Sequence, residues 1–143
     1  MTKHERNFLG KIKRYGCIAC RHIAGKYHPG DGFAVCEAHH IHTGKRIGHW
    51  AVIPLCYNHH RGKDSIHQRK SWFRKTFLHE YELLLIIRKV FSLTGDWPEW
   101  AEVALNEYLA GKTASHELKT FIKRKNKVDF CGVNDLYYKE RRK

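Results

Sequence analysis

The sequence predicts an α+β fold in which a small zinc-stapled ββα unit is flanked by several helices. Two pairs of residues with metal-ligand spacing, Cys17-x-x-Cys20 and Cys56-x-x-His59, stand before and after two strand-like stretches. Beyond residue 64, apolar residues recur at helical spacing in three successive segments. A chain of 143 residues has room for one domain, or for one domain with an appendage.

The elements follow from the spacing of apolar residues and from the glycines and prolines between them. An amphipathic helix is predicted over residues 2–15 and ends at Gly16. Strands are expected over 33–41 and 50–55, the second ending near Pro54, which suits a strand edge. Helices are then predicted from residue 57 and over 65–77, 80–93 and 99–110, with another capped by Ser115.

These elements indicate three segments along the chain. The expected organisation is a zinc knuckle with the ββα unit over 1–67, a helical extension packed on it over 68–111, and a basic C-terminal appendage over 112–143.

Lysine and arginine outnumber aspartate and glutamate by 27 to 14, which gives a formal net charge of +13. Such a surplus favours a polyanionic partner, because binding releases the counterions condensed on phosphates. A merely soluble basic protein is the alternative. Membrane-surface binding is disfavoured, because no basic amphipathic helix is free of core residues. Nucleic acid is therefore the expected partner.

The sequence contains no run that approaches the roughly 18 apolar residues of a membrane span. Its first residues lack the apolar segment of a secretory signal, so we expect the protein in the cytoplasm. In that compartment five cysteines argue for metal ligation rather than for a disulfide framework. Cys36 and Cys131 stand apart from the spaced pairs and are predicted to be buried small hydrophobes.

The spaced pairs match a structural zinc site. Zn²⁺ prefers a closed tetrahedron of thiolate and imidazole ligands, commonly delivered as two short-spaced pairs. Cys17 and Cys20 would supply one pair, and Cys56 and His59 would supply the other at a strand-to-helix turn. The alternative is a redox pair at the first two cysteines, which is disfavoured because no βαβ context surrounds them.

Seven of the twelve histidines lie between residues 36 and 67. A metal-assisted phosphodiesterase needs a base for water and a cation beside the scissile phosphate. His39 and His40, at a strand end, can supply a ligand and a base, while His60 and His67 can complete the shell of a divalent cation. Five other histidines are interpreted as loop or surface residues: His22, His28, His42, His79 and His116.

Three motifs carry a resemblance to a known family: Cys17-Ile18-Ala19-Cys20, His39-His40-Ile41 followed by Gly44, and Ile53-Pro54-Leu55-Cys56-Tyr57-Asn58-His59-His60. The pattern resembles the HNH (His-Me finger) endonucleases, and more narrowly the phage-encoded Ref family of recombination-enhancement nucleases that depend on RecA. His49 falls where that family also carries a histidine. The resemblance covers residues 15–67.

The resemblance implies a ββα-metal (HNH) core and a metal-dependent DNA endonuclease. His40 is then the expected general base, and His39, His60 and His67 would hold a catalytic divalent cation, Mg²⁺ or another. His49 would orient the base or serve as a ligand. It would substitute for the asparagine of many HNH proteins, because Ala51 stands at that spacing.

The resemblance also implies the partners. DNA would be held through largely sequence-independent backbone contacts, for which Lys45 and Arg46 in the intervening loop are candidates. The second implied partner is a RecA filament, which the protein would meet in the cytoplasm of the bacterial host during phage recombination. The rival hypothesis is a non-catalytic zinc-binding DNA-binding module, in which the histidines belong to an elaborated metal cluster.

Overall fold

The computed structural model describes residues 1–22, 36–42, 46–111 and 116–127, with His22 and the last four residues described without their side chains. Its strands are β1 (Glu37–His40) and β2 (Val52–Leu55), and its helices are α1 (Lys3–Tyr15), α2 (Ile18–His22), α3 (Tyr57–His60), α4 (Lys70–Phe77), α5 (Glu80–Thr94), α6 (Glu99–Ala110) and α7 (His116–Lys127). This mixture of helices with a small sheet confirms the predicted α+β class.

The two strands form an antiparallel pair that places β1 beside the core. Glu37 faces Leu55, and His40 faces Val52 at the other end of the register. Both strands are shorter than predicted: β1 ends at His40, and residues 33–35 lie outside the described part of the chain. β2 begins two residues late, because the amide of Ala51 donates to the carbonyl of Gly48 in a turn (3.3 Å).

Helix α1 is capped and amphipathic, as predicted. Thr2 and Glu5 form a reciprocal capping box, in which each side chain accepts from the other residue's backbone N–H. Its apolar face is buried and consists of Phe8, Leu9, Ile12 and Tyr15. The ring of Phe8 meets Phe91 of α5 and Trp100 of α6 edge to face, at 6.1 and 5.5 Å between centroids. Helices α1, α5 and α6 therefore share one core.

Helices α5 and α6 match the predicted segments to within one residue. The His79 side chain caps α5 by accepting from the amide of Tyr81 (3.2 Å), and Gly95 ends it in the left-handed conformation (φ 80°) that favours glycine. His79 also packs against Phe121 of α7 and lies 3.0 Å from the Glu117 carboxylate. His79 lies in the connection between α4 and α5, as its interpretation as a loop or surface residue expected, but it also caps a helix and is largely buried.

The predicted helix over 65–77 begins only at Lys70, and residues 61–69 form a turn segment. The Ser65 hydroxyl accepts from the amide of Gln68 (3.1 Å), so a local side-chain bond competes with helix formation there. The backbone of Arg69 (φ −137°, ψ 60°) then departs from helical geometry. The predicted cap Ser115 lies outside the described residues. In the described part of the chain, no helix has the length and apolar character needed to cross a bilayer.

Candidate active site and metal centres

Cys17, Cys20, Cys56 and His59 converge in one buried cluster, called the four-ligand cluster below. The Nδ1 atom of His59 lies 3.2–3.4 Å from the sulfurs of all three cysteines. The sulfurs of Cys20 and Cys56 are 3.9 Å apart. In a tetrahedral zinc site with Zn–S of about 2.3 Å and Zn–N of about 2.0 Å, ligand atoms lie about 3.5–3.8 Å apart. The four side chains could therefore bind a metal such as zinc.

Local structure accounts for this convergence. Gly16 has φ 95°, a conformation that L-residues rarely adopt, and it turns the chain from α1 into the first cysteine pair. Cys56 is the N-cap of α3 and His59 follows three residues later, so both side chains lie on one face of that helix. The cluster thus ties α2 to α3.

The protonation of the cluster fits a bound cation. Burial raises the pKa of the Cys17 thiol, whereas hydrogen bonds from Cys17 and Cys20 lower the pKa of Cys56. Burial disfavours the charged imidazole of His59, but hydrogen bonds with Cys20 and Cys56 raise its pKa to about 9. Three crowded sulfurs cannot all ionise readily by themselves, and a dication would stabilise the thiolates.

His39, His60 and His67 form a second group, called the three-histidine cluster below, whose ligand nitrogens all lie within 4.8 Å of one another. His39 lies on β1, His60 ends α3, and His67 lies in the turn segment 61–69. The ring centroids are 4.9–5.2 Å apart, and the first two histidines are buried. Three imidazoles in this arrangement could hold a metal ion.

His39 and His60 of this cluster favour the neutral form. Burial and the neighbouring imidazoles of His60 and His67 lower the pKa of His39 to about 3. Burial also lowers the pKa of His60, although the Glu37 carboxylate 3.2 Å from its Nδ1 opposes this shift. Glu37 also accepts from Nε of Arg61 at 2.9 Å. If Nδ1 of His60 donates to Glu37, Nε2 keeps its lone pair for a cation.

His40 and His49 form a separate pair, with His40 Nε2 and His49 Nδ1 3.1 Å apart. His40 ends β1, whereas His49 lies in the turn before β2. Burial, then the positive charge of Arg46 and the imidazole of His49, lowers the pKa of His40 to about 4. His40 is therefore neutral at pH 7 and can accept a proton.

The two groups of histidines meet in a cavity of about 280 Å³, called the histidine cavity below. Its lining consists of His39, His40, His42, Ile66, His67, Lys70 and Glu80. His42 is exposed and follows β1, as expected of a loop or surface residue, but it also lies beside the predicted site residues. Lys70 and Glu80 were not predicted either. Lys70 lies on α4 and Glu80 on α5, and neither belongs to a sequence motif. Only the packing of these helices brings the two residues to the cavity.

Of the two predicted DNA-contacting residues, the structure describes Arg46, which is not among the residues that line the cavity. Arg46 is exposed and forms an isolated β-bridge with His42, which holds it near the end of β1. Lys45 falls within 43–45, outside the described part of the chain. Cys36 is buried and lies outside the four-ligand cluster, as predicted, while Cys131 is not among the described residues.

The fold and the two clusters define a small α+β protein with two candidate metal centres and a histidine pair beside one of them. Residues 1–84, more than half of the chain, match the family model described as recombination enhancement, RecA-dependent nuclease. The chain belongs to this family, as the resemblance predicted. No curated protein and no solved structure matches the chain. The family's description indicates a nuclease that depends on RecA and takes part in recombination.

Proposed function

We propose that this protein is a metal-dependent DNA endonuclease of HNH type, built on a ββα core that zinc would hold together. The observation that carries the proposal is the histidine cavity. His40 opens onto the same space as His39 and His67, so a proton acceptor stands beside a group of cation ligands. Hydrolysis of a phosphodiester needs these two elements side by side.

His40 is the general base in this proposal. It accepts a proton from a water molecule as the water oxygen bonds to phosphorus, and the bond from phosphorus to the 3′ oxygen breaks. The departing 3′ oxygen takes a proton from solvent water, so the products are a 5′-phosphate and a 3′-hydroxyl. His49 orients His40 through the 3.1 Å contact between their ring nitrogens, which keeps the imidazole aimed across the cavity.

His39, His60 and His67 would hold the catalytic divalent cation, Mg²⁺ or another. When bound, the cation supplies positive charge that stabilises the departing 3′ oxygen. The pKa of His39 is lowered to about 3, and that of His60 is lowered too, so their lone pairs are available at neutral pH. Glu37 keeps His60 in one tautomer through its contact with Nδ1.

DNA is the proposed substrate, and a RecA filament is the proposed partner. The net charge of +13 favours phosphate contacts that do not depend on sequence. Arg46 lies close enough to His40 to lower its pKa, so its guanidinium also favours phosphate near the proposed base. Lys45 is proposed to act with it. The RecA partnership rests on the description of the family.

The test is cleavage of single-stranded and double-stranded DNA with Mg²⁺ or Mn²⁺, each with and without a RecA filament. Wild type is compared with His40→Ala and with the matched control His4→Ala, which removes an exposed histidine of α1. Metal-dependent cutting that is lost in His40→Ala and kept in His4→Ala supports the proposal. If no condition yields cutting although the wild type binds DNA, the nuclease is excluded and the zinc-binding DNA-binding module remains.

A further inference from the structure

We infer that Lys70 binds a phosphodiester phosphate of the DNA strand inside the histidine cavity. The inference deepens the proposed function and rests on it for the identity of the substrate. Lys70 is the first residue of α4, and it lines the same cavity as His39, His40 and His67. Lys70 is the only lysine or arginine that the described residues contribute to the lining.

The charges around the cavity leave Lys70 available to an anion. Glu80 is the one carboxylate that the described residues contribute to the lining, and it is buried. Its Oε1 accepts from Nε of Arg74 at 2.6 Å, so that carboxylate is already neutralised. Within the described part of the chain, Lys70 forms no ion pair of its own. The cavity therefore presents an uncompensated positive charge, which is the environment that a phosphodiester anion favours.

The start of α4 is fixed in position, so Lys70 projects from a rigid base. Arg69 donates to Asp64 at 2.9 Å and lies over the ring of Trp72 at 4.6 Å. Phe73 and Phe77 of the same helix are buried in the core. These contacts hold the Lys70 backbone relative to the three-histidine cluster, while its exposed side chain can reach a bound phosphate.

Any lysine of a basic protein can contact DNA, so the test needs a ligand confined to the cavity. A thymidine dinucleotide carries a single phosphodiester and is too short to follow the protein surface. Uncharged thymidine shows how much of its affinity comes from the phosphate. Lys75 is the matched control, because it is an exposed lysine of the same helix and does not line the cavity.

Binding of the dinucleotide and of thymidine is measured by calorimetry with the full-length zinc-loaded protein and no added Mg²⁺. Lys70→Ala is expected to weaken dinucleotide binding about tenfold, as expected for loss of a charge-assisted contact. Lys75→Ala should bind like wild type, and Lys70→Arg should retain most of the affinity. The three substitutions are at two solvent-exposed positions, and circular dichroism confirms the fold.

The inference is overturned if Lys70→Ala binds the dinucleotide like wild type, if Lys75→Ala weakens it equally, or if the wild type shows no measurable binding. Its failure is distinct from failure of the proposed function. If the protein binds the dinucleotide through Lys70 but cuts no DNA, the phosphate site stands and the proposed nuclease function is overturned. If Lys70→Ala cuts DNA with the kcat and KM of wild type, the nuclease function stands and the assignment of Lys70 to the phosphate is overturned.

Discussion

His60 and Glu37 are joined by a contact of 3.2 Å between Nδ1 of the imidazole and Oε2 of the carboxylate. The contact links β1 to α3 and leaves Nε2 of His60 for the three-histidine cluster. Glu37 also accepts from Arg61, so one partly exposed carboxylate sets the orientation of a buried ring. Histidines that ligate metals commonly donate their second ring nitrogen to such a group, which fixes both the tautomer and the ring plane.

Removal of this carboxylate should weaken cation binding. We expect Glu37→Ala to lower the affinity of the three-histidine cluster for Mn²⁺ by about 10- to 100-fold, measured by calorimetry with the four-ligand cluster loaded with zinc. Glu37→Gln keeps an acceptor for Nδ1 and should retain most of the affinity. Glu107→Ala, which removes an exposed carboxylate of α6, is the control. Unchanged Mn²⁺ affinity in Glu37→Ala would contradict a positioning role.

Removal of the His49 side chain should lower the rate of DNA cleavage and leave the affinity for the metal ion unchanged. Because its Nδ1 contacts His40 and it lies outside the three-histidine cluster, His49→Ala should lower kcat about 10- to 100-fold, with KM and Mn²⁺ affinity unchanged. His49→Asn retains a side chain that can hydrogen-bond and should recover part of the rate. A parallel loss of Mn²⁺ affinity would instead assign His49 as a ligand.

The four-ligand cluster should govern stability. Cys56→Ser removes one of its thiolates, and we expect loss of stoichiometric zinc with a Tm lower by about 10 °C or more, because structural zinc contributes directly to folding. Zinc content and calorimetric unfolding measure both effects. Cys36→Ser, at a buried cysteine outside the cluster, should keep the zinc. Wild-type zinc content in Cys56→Ser would exclude this residue as a ligand.

Glu102 should make the stability depend on pH. Arg88 donates to it through Nε at 2.9 Å, and Trp97 donates through Nε1 at 2.7 Å. The Arg88 contact, and then the Trp97 contact, lowers the pKa of Glu102 below its ordinary value of 4.5. A lowered folded-state pKa contributes stability above the unfolded-state pKa, and that stability is lost as pH falls through the folded-state value.

Urea unfolding of wild type and Glu102→Gln tests this dependence. At pH 7 the variant should be less stable by about 1 kcal/mol, a modest value because solvent screens a pair that is about one-third exposed. The difference should shrink as the pH falls from the ordinary pKa through the lowered folded-state value, because the wild-type carboxyl then becomes neutral like the glutamine. A difference that stays constant between pH 7 and pH 3 would show that charge is not its source.

Local patterns predicted most of the helices because amphipathic spacing is a property of neighbouring residues. The segments at α1, α5 and α6 were recognised from their buried stripes, and the two ligand pairs from their spacing of three. The start of α4 was missed because the Ser65 side chain bonds the amide of Gln68, a local competition that apolar spacing does not reveal. The start of β2 was predicted two residues too early, because the Ala51 amide donates to Gly48 in a turn that the apolar pattern does not reveal.

The α+β class, the candidate pairs of cysteine and histidine ligands, and the family could be predicted from residue types and short spacings along the chain. The packing of the chain was needed to establish that His40 pairs with His49, that Glu37 holds His60, and that Lys70 and Glu80 line the histidine cavity. The first contact arises where the turn before β2 folds back beside β1, the second where α3 packs on β1, and the third where α4 and α5 border the cavity. Packing of distant segments is a non-local property, and no short motif encodes it.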